Sequence, residues 1–191
     1  MSSALIIGGA VVGFLLLITL FWFFSTWNRL VSLELNVDNS WAQISVLLKQ
    51  RYDMIPNLVN IAKGIAKQEI AFFDKLFEAR LAAAGALQSG DIEGTARAES
   101  SFAAMIPRIN MVAEQYPELK SDSAFLNIQN QLVALENSIA DRREFYNSSV
   151  TTFYKAIQMI PSVFVANIKG CEQRNLFEIF DHERENVIIE F

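Results

Sequence analysis

Leu5 to Phe24 reads LIIGGAVVGFLLLITLFWFF, a run of apolar positions with no charged side chain. As a helix rising 1.5 Å per residue it spans about 30 Å, the thickness of a bilayer's hydrocarbon core. A cleaved signal sequence needs a basic start and a small-x-small cleavage site. Met1-Ser2-Ser3-Ala4 carries no Lys or Arg, and Phe24-Ser25-Thr26-Trp27 makes a poor cleavage site. The pattern therefore predicts a retained transmembrane anchor over residues 1–27, its apolar limits at Leu5 and Phe24. Trp22 and Trp27 fit the aromatic belt at the membrane surface. Gly9 and Gly13 have the spacing that lets two membrane helices approach closely, although glycine is also common in such helices without that role.

From Leu30 the apolar positions recur at three- and four-residue steps: Leu30, Leu33, Val37, Trp41, Ile44, Leu48, then Ile55, Leu58, Ala62, Ile65. That spacing lays one stripe on a helix and does not fit a strand's alternation. Pro56 interrupts the hydrogen-bond ladder, so a kink or a short break with Asp53 as a fresh cap is expected there. The stripe then continues through Phe72, Phe73, Leu76 and Ala79 to about Leu87, and Gln88-Ser89-Gly90-Asp91 supplies a stop. A third helix is expected from Ile92 to Gln115, bending at Pro107 and ending at Tyr116-Pro117. Another starts at Ser121 or Ser123 and meets no Pro or Gly before Pro161, nearly 40 residues on. Ser162 to Lys169 reads as a short helix closed by Gly170. The expected fold is all-α: a transmembrane helix, then an elongated antiparallel helical bundle over residues 28–180. The tail, residues 181–191, ends in Asn186-Val187-Ile188-Ile189-Glu190-Phe191, and Val-Ile-Ile is a strand former. It either packs Ile188 or Phe191 on the bundle, or pairs as a strand with neighbouring subunits through Val187, Ile188, Ile189 and Phe191.

Composition sharpens this picture mainly by exclusion. The chain has 191 residues, enough for one good-sized domain, with 16 Lys+Arg against 21 Asp+Glu and a net charge of −5. No charged side chain precedes Arg29. The acidic balance argues against nucleic-acid binding, which needs a positive surface to displace phosphate counterions. One cysteine forbids an internal disulfide, and one histidine forbids a histidine-built metal site. Arg29, on the C-terminal side of the anchor, points to a cytoplasmic bundle by the positive-inside tendency. The lone Cys171 agrees with a reducing compartment.

A search for chemistry finds no catalytic residue, metal site or cofactor motif. The glycines never form a phosphate loop. Cys171 and His182 lack the context of a nucleophile and its base, and no Glu-x-x-His pair for a di-iron bundle is present. What stands out is polar residues beside apolar stripes. Glu69 and Arg80 lie about three helical turns apart, and Glu136 and Arg143 about two. Antiparallel helices would then pair Glu69 with Arg143 and Arg80 with Glu136, fixing the bundle register; separate solvated charges are the alternative. Asn39, Trp41, Arg51, Asn57, Tyr146 and Asn147 are expected in an interhelical hydrogen-bond network, with a ligand site as the other reading.

The string Val37-Asp38-Asn39-Ser40-Trp41-Ala42-Gln43-Ile44, followed by Arg51-Tyr52-Asp53-Met54-Ile55-Pro56-Asn57-Leu58-Val59, resembles the signature of the LemA family. Further matches follow in order: Glu69, Glu78-Ala79-Arg80, Tyr116-Pro117-Glu118-Leu119, Glu136 to Arg143, Tyr146-Asn147 and Ile160-Pro161. Departures gather near the end, where Lys155 follows Tyr154, Ile160 stands for the usual Phe, and Ile168-Lys169-Gly170 replaces a Phe-Gly-Phe-like segment. The resemblance implies a bacterial inner-membrane protein with a short external N-terminus, a cytoplasmic helical bundle and no known enzyme activity. Magnetosome-associated relatives link such proteins to membrane organisation. The expected partners are the lipid bilayer and further copies of the chain. Two functions follow: a self-assembling scaffold that organises the membrane, or a tethered adaptor that docks another membrane or signalling protein.

Overall fold

The computed structural model describes residues 2–178, with side chains from Ile6 onward. Seven α-helices make up these residues, and no strand occurs among them. They are α1 (Ser2–Ile65), α2 (Ile70–Ser89), α3 (Ile92–Ala103), α4 (Ile106–Gln115), α5 (Pro117–Ser121), α6 (Ser123–Gln158) and α7 (Ser162–Lys169). A 3-10 turn at Lys67–Glu69 separates α1 from α2. Val187, Ile188, Ile189 and Phe191 lie outside the described residues, as do the Leu5 side chain and His182.

The described residues pack as two units, residues 2–40 with 148–174, and residues 41–147 with 175–178. In the first unit the large apolar side chains of Ile6 to Phe21 are exposed. Among the described residues, α1 is the one helix long and apolar enough to cross a bilayer. Below that stretch Trp22, Phe23 and Trp27 pack against a small core of Leu30, Ala156, Val165 and Ala166. Gly170 closes α7 with φ 73, a left-handed conformation that a side chain would strain.

In the second unit the α1 stripe of Ile44, Leu48, Tyr52, Ile55, Leu58 and Ala62 is fully buried. Phe73, Leu76 and Ala83 of α2, Phe102 of α3 and Phe125, Leu132 and Ile139 of α6 are buried as well, and Tyr52 meets the Phe102 ring. Trp41 lies beside Tyr146, and Arg51 beside Glu136, so α1 and α6 run antiparallel here. Lys63 pairs with Asp74, and Arg80 with Asp53, which makes α1 and α2 an antiparallel hairpin.

Two boundaries differ from the sequence expectation. Helix α1 runs through Pro56 without a break, and the chain leaves helical geometry ten residues later, at Ala66 with φ −91 and ψ 65. Ala66 is fully buried, so a residue without a side chain beyond Cβ lets the corner close inside the core. The expected single helix over 92–115 is two, divided at Ala104–Met105, and Pro107 sits in the first turn of the second. There its missing N–H costs no ladder bond. Helix α6 starts at Ser123, one of the two expected starts, but the residue that caps it is Asp122, whose Oδ1 accepts the Phe125 N–H at 2.8 Å. Asp122→Ala should therefore cost about 1 kcal/mol, the usual worth of an N-cap. Thermal or urea unfolding of the full chain in mild detergent checks this.

Candidate functional site

The second unit is organised around a charge held out of water. Arg51 is among its most deeply buried side chains, at 1% exposure. Its guanidinium pairs with Glu99 of α3, itself fully buried, and with the half-exposed Glu136 of α6. The cation also sits over the Phe102 ring, 4.9 Å from its centroid. Tyr52, the next residue of α1, donates its hydroxyl to the same Glu99 and meets Phe102 edge-on at 5.9 Å. Glu99 thus accepts from a cation and a phenol at once. Among the described residues Arg51 Nε has no hydrogen-bond partner. Burial lowers the Arg51 pKa from its ordinary value, opposed chiefly by Glu136. Burial likewise pushes the Tyr52 hydroxyl well above its usual range, opposed by Arg51. At neutral pH Tyr52 is therefore a fixed donor and unsuited to proton transfer.

The backbone of the same turn carries a second device. Pro56 has no N–H, so the carbonyl of Tyr52, four residues earlier, loses its helical partner. Arg80 of α2 fills the gap: its Nε donates to that carbonyl at 2.9 Å, and its Nη2 lies 3.5 Å from Asp53. Pro56 can stand inside α1 because another helix satisfies what it leaves open.

A third cluster ties residues 175–178 to the second unit. Asn147 acts as a clamp, with Oδ1 accepting the Phe177 N–H at 2.9 Å and Nδ2 donating to the Phe177 carbonyl at 3.2 Å. Tyr146 donates its hydroxyl to the Asn175 carbonyl at 2.8 Å. The Phe177 ring, fully buried, meets Trp41 at 5.3 Å, and Trp41 meets Tyr146 at 5.6 Å. In the first unit Lys169 pairs with Glu34, and Arg174 bridges Glu34 at 3.7 Å and Asp38 at 3.5 Å. Burial raises the pKa of the half-buried Cys171 thiol, which Lys169 partly offsets.

The register pairs expected from spacing do not form. Glu136 binds Arg51, Arg80 binds the Tyr52 carbonyl and Asp53, and Glu69 lies 3.4 Å from Arg108. Arg143 is half-buried and has no salt bridge among the described residues. The expectation took α2 and α6 as facing helices, whereas α1 faces α6 at this level and the corner at Ala66 turns α2 back along α1. Arg51, Trp41, Tyr146 and Asn147 do enter polar or aromatic clusters, while Asn39 and Asn57 are exposed. Pro161 follows a cis peptide at the start of α7. Phe24 is exposed, and Gly9 and Gly13 face open space. Glu99 was missed. Its signal is an acid at the three-residue step between Ala96 and Phe102, on the apolar face of α3. Among the described residues no group of His, Cys, Asp and Glu side chains could hold a metal ion.

A model of the LemA family matches residues 40–191, spanning Arg51, Glu99, Glu136 and the Asn147 clamp. The chain belongs to the LemA family. It is 27% identical over 175 residues to magnetosome protein MamQ 2 of Paramagnetospirillum magneticum, covering 80% of this chain and 64% of that protein. MamQ 1 of the same organism matches with the same figures. Magnetosome protein MamQ of Magnetospirillum gryphiswaldense is 24% identical over 174 residues, covering 79% and 64%. The chain thus covers 64% of the length of these curated relatives. With its exposed apolar α1 segment, this LemA-family chain is membrane-associated.

Three outcomes test the site. Glu99→Ala should cost roughly 3–5 kcal/mol because it strands a buried guanidinium, and Glu136→Ala markedly less because water reaches that carboxylate. The double variant Arg51→Met, Glu99→Leu should recover most of the loss, read by unfolding in detergent. Arg80→Met should cost about 1–3 kcal/mol by orphaning the Tyr52 carbonyl. That cost should shrink when Pro56→Ala restores the helical donor, a coupling measured by the double-mutant cycle. The third outcome is a pH dependence. Below about pH 10 Tyr52 is neutral whether folded or unfolded; above it only the unfolded state ionises freely. Stability should therefore fall as pH rises past 10, by up to ~1.4 kcal/mol per pH unit. Tyr52→Phe should remove that component from melts recorded across the alkaline range.

Proposed function

We propose that the chain is a membrane-anchored, non-enzymatic scaffold that self-assembles into a homo-oligomer and organises or shapes a bacterial inner membrane. One observation carries the scaffold reading: the polar residues of its signature are engaged with one another inside the fold. Arg51, Glu99, Tyr52 and Glu136 pair with one another, Arg80 is held by a carbonyl, and Asn147 is held by Phe177. Side chains so occupied specify packing, and none is poised toward a substrate. The open faces of Gly9 and Gly13 on the exposed apolar helix support association within the membrane. Arg29 and the single cysteine, Cys171, support a cytoplasmic bundle. The magnetosome relatives support a role at a membrane-bounded structure.

An adaptor reading has one observation in its favour, an open groove of about 470 Å³ between α1 and α2. Val46 and Leu87 give it an apolar floor beside Lys49 and Gln88.

Light scattering on the full-length chain in mild detergent tests the proposal. The expected result is a large, discrete particle of identical chains. Removal of Val187 to Phe191 should shrink that particle if the tail pairs between subunits. A monomer that captures a stoichiometric foreign protein in native membranes would overturn the scaffold in favour of the adaptor.

A further inference from the structure

In the first unit α7 is buried on one side only. Val165 and Ala166 enter the small core beside Leu30, Trp22, Phe23 and Trp27. On the other side Phe164 and Ile168, one turn apart, are 63% and 68% exposed. The turn leading into α7 adds Met159 at 62% and Ile160 at 80%. Four large apolar side chains in so short a segment form a contiguous patch of the kind that marks a contact surface. From Ala156 to Ile168 no side chain is charged, and Lys155 and Lys169 bracket the stretch.

The unit's own geometry says what covers this patch. Lys169, at the end of α7, is tied to Glu34. The helix therefore runs from its N-terminal turn, level with the aromatic end of the apolar segment, toward Glu34, further from the membrane. Ala156 and Ile157 pack in the same cluster as Leu30 and Trp27, which sets the Met159–Ile160 turn beside the aromatic end of the apolar segment. The turn's backbone is also suited to a poorly hydrated setting. Ser162 donates to the carbonyls of Ala156 and Met159 at 2.7 and 2.9 Å, and the Met159 N–H reaches the Lys155 carbonyl at 3.0 Å.

We propose that the α6–α7 turn and the outer face of α7 form a second membrane contact, inserted into the headgroup and upper acyl region beside the anchor. Met159, Ile160 and Phe164 enter the apolar layer, while the exposed Arg29 and Lys155 reach lipid phosphates from its edge. The anchor then meets the bilayer with a fixed rotation and tilt, because a second point of insertion removes its freedom to turn about its axis. This inference rests on α1 crossing the bilayer.

Nitroxide labels test it on the full chain reconstituted in phosphatidylcholine–phosphatidylglycerol vesicles. In a Cys171→Ser background, single cysteines are placed by Ile160→Cys, Phe164→Cys, Leu16→Cys and Ser148→Cys, all at exposed positions. The label at 16 reports the anchor and the label at 148 the aqueous reference. At 160 and 164, collisions with oxygen should exceed those with a water-soluble nickel chelate several-fold, at a depth shallower than position 16. Nickel collisions at 160 and 164 matching those at 148 would overturn the inference, while a lipid signature at 16 would leave the anchor intact. An aqueous signature at 16 would instead overturn the anchor and, with it, this inference. Shielding from both reagents at 160 and 164 would also overturn it. Spectral broadening relieved by unlabelled protein would then assign the patch to a second copy of the chain.

Discussion

A guanidinium removed from water needs charge and hydrogen bonds to replace its hydration, and taking away a buried partner is strongly destabilising. Arg51 imposes that demand on the second unit. Its counter-charges come from α3 through Glu99 and from α6 through Glu136, and the neighbouring Tyr52 adds a hydroxyl to Glu99 and a carbonyl to Arg80 of α2. One turn of α1 therefore addresses three other helices. Replaced by well-packed apolar residues, such a centre can be nearly neutral in stability. Its consequence lies in register. The apolar stripes of α1 and α6 are long and repetitive, and a slip of one turn would bury nearly as much apolar surface. It would also carry Glu136 away from Arg51, so the correct alignment differs from its neighbours by the energy of an uncompensated buried charge.

The same inwardness bears on function. A catalytic group has to be reachable and must change state at working pH, and burial holds Tyr52 protonated while Glu99 is shared between two donors. The Asn147 clamp on Phe177 is equally closed, since both faces of that peptide's hydrogen bonding are occupied. Among the described residues the exposed stretch of α1 and the Phe164–Ile168 face of α7 are left as open apolar surface. Polar groups that specify shape beside exposed apolar surfaces are the arrangement that supports the scaffold proposal.

Much of this architecture is legible in the sequence because its causes are local. The apolar start of α1 follows from an uncharged run, α6 from the lack of Pro and Gly between Ser123 and Gln158, and α7 from a stretch closed by Gly170. The corner at Ala66 is not legible in the same way. Ile65-Ala66-Lys67-Gln68-Glu69 contains only good or tolerable helix formers, so nothing local stops the helix; the turn is favoured by burying Phe72, Phe73 and Leu76 back against α1. Pro56 misleads in the other direction, because its local cost is offset by an arginine 24 positions away in the chain. The site inherits both errors. Placing Glu69 and Arg80 opposite α6 followed from a helix drawn straight through Ala66, whereas Arg51 and Tyr146 were found because a polar group at an apolar step is itself a local signal.

Arg51-Tyr52-Asp53-Met54-Ile55-Pro56 can be understood as one device rather than as a string of separate contacts. Pro56 withholds a donor, which leaves the Tyr52 carbonyl without its helical partner. Arg80 answers it with Nε, and Asp53, one residue further along the same turn, steadies the remaining guanidinium at 3.5 Å. The carbonyl binds α2 through Arg80, while the Arg51 side chain binds α3 through Glu99 and α6 through Glu136. An alanine at position 56 would give a more regular helix and remove the one backbone group that tells α2 where to stop. The proline is in this sense a positional signal: it converts a defect in one helix into the docking point of the next.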